Sequence, residues 1–398
     1  MKIYEIGTGY TPIPAKIGAA TEIVVEELTK AFQKKGLDVE LLDIQAENRR
    51  ENDLPIREVR VPGFFAGTDV QLGIMHKLKR VIYSTALARK LKDILNQATE
   101  PVLLHFHNQY NLFFFLKLVP AKLRSKCRIA YTNHSYIWHG CWDEIKEVIK
   151  KRYFQEVYCL KHADYIFVLN KQTHQNIVNH LRVDKSKVWL IDNGVNTDIY
   201  YKISQEEKEY EKKRRGFLGK TVYIQVGSVC ERKNQLGALQ LLLPFMKSNR
   251  NIVFCYAGGV IDAVYQENIL NFAKENDIEQ QVFYAGELSP GEELNCFYSL
   301  AEAMIFPSQA EGFSLVIIEA MSAGIPVFVS KQLRFALEGS CLRFDENDFC
   351  EKLQMILDDA EQKKWSQKCR AAVEAQYSWN NVAMDYAKVW GIVPGSNS

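Results

Sequence analysis

At 398 residues the chain is too long for one compact core and fits two domains of roughly 200 residues each. With 47% hydrophobic and 25% charged residues it has ordinary globular usage, which excludes a disordered or low-complexity chain. No run of about 18 apolar residues appears and the first residues form a strand-like Lys2-Ile3-Tyr4-Glu5-Ile6, so a soluble cytoplasmic protein with no nucleic-acid partner is expected.

In chain order, residues 1–196 alternate short apolar runs with longer amphipathic stretches. The runs at 2–6, 38–44, 101–105, 128–132, 164–169 and 187–191 read as strands. The stretches at 17–35, 72–98, 143–161 and 171–181 carry helical periodicity. Crossovers of this length require a parallel sheet covered on both faces. This half is also the basic one: residues 49–130 hold 15 Lys and Arg against 6 Asp and Glu. The segment 72–95 carries Lys77, Lys79, Arg80, Arg89, Lys90 and Lys92, with Phe64-Phe65 and Phe113-Phe114-Phe115 as apolar company. A basic amphipathic helix of this kind admits peripheral contact with the inner face of an anionic membrane.

A charged stretch, YYKISQEEKEYEKKRRGFLGK, follows and reads as a linker over 197–220 or a solvated helix. The alternation then restarts, with strands at 221–227, 251–259, 281–286, 301–308 and 324–330 and helices at 233–247, 261–276, 290–300 and 314–323. A second doubly wound α/β domain is therefore expected over 221–376, with a last helix in 377–398 for which Ser378 is a natural N-cap. The nine cysteines are scattered without any Cys-x-x-Cys pair and read as reduced, buried thiols.

The most informative segment is PSQAEGFSLVIIEAMSAGIPV, from Pro307 to Val327. A strand ends at Pro307, a loop carries Glu311-Gly312-Phe313-Ser314, and a helix follows. Gly312 permits close approach of backbone to a ligand, and the helix N-terminus offers unpaired N–H groups to a diphosphate. Glu319 lies about two helical turns beyond Glu311, so both carboxylates can address one extended ligand rich in hydroxyl groups. Strand 221–226 likewise runs into VGSVCERKNQ, where Gly227 allows a tight turn and Lys233 can aim a charge at a phosphate.

The two glutamates set in EGFSLVIIEAMSAGIPV resemble the signature of retaining glycosyltransferase family 4. The resemblance implies the GT-B fold: two doubly wound Rossmann-like domains facing a central cleft, with the C-terminal helix around Trp379 returning to the first. It implies that Glu311 contacts the donor sugar and Glu319 the ribose, and that Phe313, Ser314 and Leu315 lie at the diphosphate. Lys233 matches the family's phosphate lysine. The arginine expected after the glycine is Ser228 here, with Arg232 as a substitute. Gly286 to Leu288 resembles the stretch that meets the base. In the N-terminal half Gly18 matches the glycine ahead of the first helix. His134 matches a histidine near the donor sugar, and His107, Asn108 and Trp138 fall on the acceptor side. The implied substrates are a nucleotide-sugar, with a UDP-sugar favoured, and a glycan or lipid-linked acceptor. With no Asp-x-Asp motif in the donor half, neither metal nor cofactor is expected. Two other readings stay open: a nucleotide-sugar 2-epimerase or phosphorylase on the same fold, and a catalytically inactive binding subunit.

Overall fold

The computed structural model describes residues 1–15, 20–47, 49–63, 74–311, 313–333 and 339–392. Gly18, Gly312, Phe64 and Phe65 therefore lie outside the described residues. The chain forms two compact units, one from the described part of residues 1–194 together with 379–392, the other from Val195–Ser378.

The first unit runs β1 (Ile3–Ile6), α1 (Ala20–Lys34), β2 (Val39–Ile44), β3 (Ile56–Val59), α2 (Ile74–Gln97), β4 (Val102–Phe106), α3 (Gln109–Leu118) and α4 (Ala121–Arg124). It continues through β5 (Cys127–Asn133), α5 (Trp142–Arg152), α6 (Phe154–His162), β6 (Tyr165–Val168), α7 (Lys171–Leu181) and β7 (Val188–Leu190). Its seven strands are all parallel in the order β3-β2-β1-β4-β5-β6-β7. The order reverses between β1 and β4, and in sheets of this kind the crevice for a ligand opens at the C-terminal ends of those two strands.

The second unit holds α8 (Gln205–Arg214), β8 (Thr221–Val226), α9 (Gln235–Ser248), β9 (Ile252–Ala257), α10 (Ala263–Glu275), β10 (Val282–Tyr284) and α11 (Glu292–Ser299). Then come β11 (Ala303–Phe306), α12 (Leu315–Ser322), β12 (Val327–Ser330), β13 (Leu342–Phe344), α13 (Phe349–Met355) and α14 (Asp359–Gln376). Its six parallel strands run β10-β9-β8-β11-β12-β13, with the reversal between β8 and β11. The last helix, α15 (Trp379–Trp390), belongs to the first unit, where Tyr386 and Trp390 pack on Phe32 of α1.

Several expectations need correction. Of the two readings of residues 197–220, a linker or a solvated helix, the structure has a largely exposed helix over Gln205–Arg214. Ser204 and Glu207 close a capping box that starts α8, and Lys208 and Lys212, one turn apart, both reach Glu302 at 2.9 and 2.6 Å. That shared carboxylate docks the helix to its own unit. The single helix expected over 143–161 is two, interrupted at Tyr153. Two edge strands escaped notice, β3 with Val59 as its one buried residue and β13 with three residues, because strands of three or four residues carry little periodicity.

The basic face read into α2 is also partly turned inward. Lys79 is buried with Nζ donating to the Tyr10 carbonyl at 3.0 Å, and the Arg80 guanidinium lies 5.3 and 4.8 Å from the rings of Tyr10 and Tyr110. Phe115 is core, and Phe113 packs edge-on to Phe154 and Tyr158. No described helix is long and apolar enough to cross a membrane.

Candidate active site

In the second unit the residues that follow β8 and β11 converge. Gly227 follows β8 at φ 146°, and a Cβ there would stand 3.3 Å from Cε of Lys233. The glycine thus leaves room for the lysine stem to lie across the turn. Gly258, at φ 139°, serves a different need: its Cβ would come within 2.2 Å of the Gly227 carbonyl oxygen. That close approach is backbone against backbone, so Gly258 is explained by packing of the β8 and β9 turns.

Lys233 Nζ lies 2.7 Å from Oε1 of Glu311 and over the Phe306 ring. The same oxygen accepts from Arg232 Nη1 at 3.0 Å and from the Ser308 hydroxyl at 2.6 Å. Arg232 also donates to the Ala310 carbonyl at 2.7 Å. The arginine that sequence reading offered only as a substitute is thus built into the cluster. Ser228 carries no charge and its carbonyl accepts from Gln235 at 3.0 Å. One carboxylate oxygen therefore gathers two cations and a hydroxyl, while Oε2 of Glu311 has no partner among the described residues.

The helix that follows, α12, begins at the buried Ser314, and no side chain caps it. Its first N–H groups carry the positive end of the helix dipole, the arrangement that favours an anion. Glu319, on α12, is 5% exposed and accepts from the Tyr298 hydroxyl at 2.8 Å. Burial pushes its carboxyl up to about 7, against hydrogen bonds from Tyr298 and Tyr200 that favour the ionised form. Leu288 packs half-buried on the core, and the Gly286 carbonyl accepts from Gly258 N–H at 2.8 Å.

The first unit carries a second constellation at its own switch point. Glu5 on β1 and His105 on β4 are register partners, so their side chains share one face of the sheet. Oε1 of Glu5 lies 2.8 Å from His105 Nδ1, and Oε2 lies 2.8 Å from His107 Nε2. The chain of contacts extends at both ends. His105 Nε2 meets Thr132 Oγ1 at 2.7 Å and that hydroxyl meets Tyr386 at 3.1 Å, while His107 Nδ1 faces His134 Nε2 at 3.0 Å. Burial opposes ionisation of Glu5, yet the two imidazoles hold it down to about 2. Burial and the neighbouring His105 bring His107 down to about 4, and burial holds His134 well below its ordinary value. The atoms of Glu5, His105 and His107 lie within 4.8 Å of one another, close enough to share a metal ion, but the hydrogen bonds already account for the arrangement.

Sequence reading singled out His107 and His134 separately but missed Glu5 and His105. A signal was present. A parallel strand covered on both faces should be apolar throughout, so a glutamate inside Ile3-Tyr4-Glu5-Ile6 calls for a buried partner. The acceptor-side assignments fare less well. Asn108 spends its side chain capping α3, accepting from Tyr110 N–H at 2.8 Å and donating to the Tyr10 hydroxyl at 2.8 Å. Trp138 is wholly buried, and its indole N–H donates to Glu156 at 2.8 Å. It belongs to the core and not to an acceptor surface, because a buried indole needs a partner and Glu156 supplies one.

Comparison with known proteins bears on both units. The family model described as Glycosyltransferase Family 4 matches residues 21–199, and that described as Glycosyl transferases group 1 matches residues 206–338. Lipopolysaccharide 1,2-N-acetylglucosaminetransferase of Salmonella typhimurium is 27% identical over 220 residues, 52% of this chain and 56% of that protein. The chain thus spans little more than half the length of that relative. O-antigen biosynthesis glycosyltransferase WclY of Escherichia coli is 23% identical over 67% of this chain and 72% of its own. Among solved structures, HepE of Anabaena in complex with UDP-glucose superposes with a TM-score of 0.71 at 12% identity, covering 98% of this chain and 99% of its own. That likeness shows the fold.

Proposed function

The chain belongs to glycosyltransferase family 4, with the GT-B fold, and from that premise we propose that it moves a hexose or N-acetylhexosamine from a nucleotide-diphosphate sugar to a hydroxyl of a glycan or lipid-linked acceptor. The observation that carries this reading is the convergence of Lys233, Arg232 and Ser308 on Glu311 beside the uncapped start of α12. Two cations and a helix N-terminus suit the leaving diphosphate, whose charge grows as the glycosidic bond breaks. Oε2 of Glu311, without a partner among the described residues, suits a sugar hydroxyl, and Glu319 suits the ribose. His134 stands for the first unit's contact with the transferred sugar. No side chain here is assigned as a covalent nucleophile, so departure of the diphosphate with attack on the same face, retaining configuration, is the reading adopted.

A UDP-sugar is favoured because HepE was solved with UDP-glucose, and cell-surface polysaccharide synthesis because the named relatives are a lipopolysaccharide N-acetylglucosaminetransferase and an O-antigen biosynthesis glycosyltransferase. A cytoplasmic enzyme is the setting in which such donors are met. Membrane contact through α2 has narrower support, since Lys77, Arg89 and Lys92 are exposed while Lys79 and Arg80 are not. The test is a thermal-shift and calorimetric screen of UDP, GDP, ADP and their sugars. A true donor at about 100 times its dissociation constant stabilises by roughly 2.7 kcal/mol. No shift with any of them at millimolar concentration overturns the reading.

A further inference from the structure

The relay around Glu5 fixes more than the positions of its rings. A carboxylate can only accept hydrogen bonds, so each imidazole nitrogen 2.8 Å from Glu5 must carry a hydrogen. For His107 that nitrogen is Nε2. A neutral imidazole has one N–H, so Nδ1 of His107 is left as a bare acceptor. Facing it at 3.0 Å is His134 Nε2, which must then be the donor. His134 is left with its own hydrogen on Nε2 and a lone pair on Nδ1. That Nδ1 has no partner among the described residues, and the ring is half-buried and not sealed in the core. The other branch of the relay, through Thr132 and Tyr386, ends in hydroxyl groups that turn to suit either direction, so it imposes nothing on His134.

We propose that Glu5 and His107 are positioning residues that lock His134 in the Nε2–H form, so that its Nδ1 is presented to the substrate as a hydrogen-bond acceptor for a hydroxyl group. This rests on the reading of His134 as a sugar contact and adds a chemical rule to it. A lone pair welcomes the O–H of a neutral sugar and repels a phosphoryl or carboxylate oxygen. The histidine subsite therefore takes a hydroxyl and not an anion. Neither Glu5 nor His107 needs to touch substrate to do this.

The full chain labelled with ¹⁵N-histidine tests the proposal by long-range ¹H–¹⁵N correlation at pH 7.5, with His134→Gln and His107→Gln identifying the two rings. The hydrogen between the rings should be bonded to Nε2 of His134, with coupling across the bond to Nδ1 of His107. A hydrogen on His107 Nδ1, or none between the rings, overturns the proposal. Glu5→Gln offers one acceptor where the carboxylate offers two, so both imidazoles can no longer donate to it. Donor turnover should fall about tenfold with the donor KM within twofold, because the nucleotide is held by other residues. Wild-type turnover with the hydrogen unmoved removes Glu5 from the role. Absence of turnover with every nucleotide-sugar would count against glycosyl transfer, while the hydrogen's location would still decide the relay.

Discussion

Glu5, at the switch point of the first sheet, takes its hydrogen bonds from two imidazoles, whereas Glu311, at that of the second, takes them from an arginine, a lysine and a serine. Both carboxylates sit where a doubly wound sheet opens its crevice, and both are buried. The surroundings differ in what they leave over. Around Glu5 the hydrogen bonds among the described residues apportion the protons and leave a lone pair on His134. Around Glu311 one anion is shared by two cations, so positive charge is in excess. The first arrangement selects a neutral hydrogen-bond donor and the second an anion.

The largest effect should follow from breaking the charged side of this comparison. Lys233→Ala should lower turnover by about 10²–10³, with a smaller change in donor KM, because an ammonium that meets developing charge acts mainly in the transition state. Steady-state kinetics on the folded variant decide it. An effect confined to KM would make Lys233 a ground-state anchor.

An intermediate effect is expected where a buried carboxyl has no role in either cluster. Trp138→Phe deletes the indole N–H that meets Glu156 and leaves that carboxyl to Tyr131 and Asn133. Unfolding in denaturant should show a loss of about 1–3 kcal/mol, with kinetics unchanged. Altered acceptor kinetics without loss of stability would restore Trp138 to the acceptor surface.

The smallest effect sharpens the contrast through pH. Glu319 titrates near 7 in the folded chain, above its unfolded value, so the native state binds the extra proton and this group's contribution weakens as pH rises through 7. His107 has the opposite sign: its folded value of about 4 lies below the unfolded one, and its contribution is lost as pH falls below about 6.5 toward 4. From pH 5 to 8 the melting temperature of wild type should fall relative to that of Glu319→Gln, since the His107 contribution is common to both. Parallel curves would mean that Glu319 is not protonated near neutrality.

How far these features were legible in the sequence follows from the same two regions. The second unit's cluster comes from two short contiguous stretches, Gly227–Lys233 and Ser308–Ser314, each running from a strand end toward a helix, so spacing together with the family resemblance singled out Lys233 and Glu311, and Glu319 two turns further on. What spacing did not assign was the place of Arg232, whose guanidinium turns back across the β11 loop to Glu311. The first unit's relay draws Glu5, His105, His107, Thr132, His134 and Tyr386 from four separate segments. The pairing of β1 and of β5 on β4 and the return of α15 bring them together, and none of these is written in a local pattern. Trp138 misled for a related reason: an aromatic residue after a strand suits a ligand pocket and a core equally, and Glu156, which settles it, lies 18 residues away.

The most direct test of the central claim, that the second unit's cations serve the diphosphate of a nucleotide-sugar, is release of nucleoside diphosphate from the donor found by the binding screen. Wild type and Lys233→Ala would be compared at saturating donor, without acceptor and with a cell-surface polysaccharide acceptor fraction. The account predicts slow release by wild type, acceleration by acceptor, and a drop of about 10²–10³ in the variant. Equal release by both proteins, or none from wild type with donor bound, would contradict it.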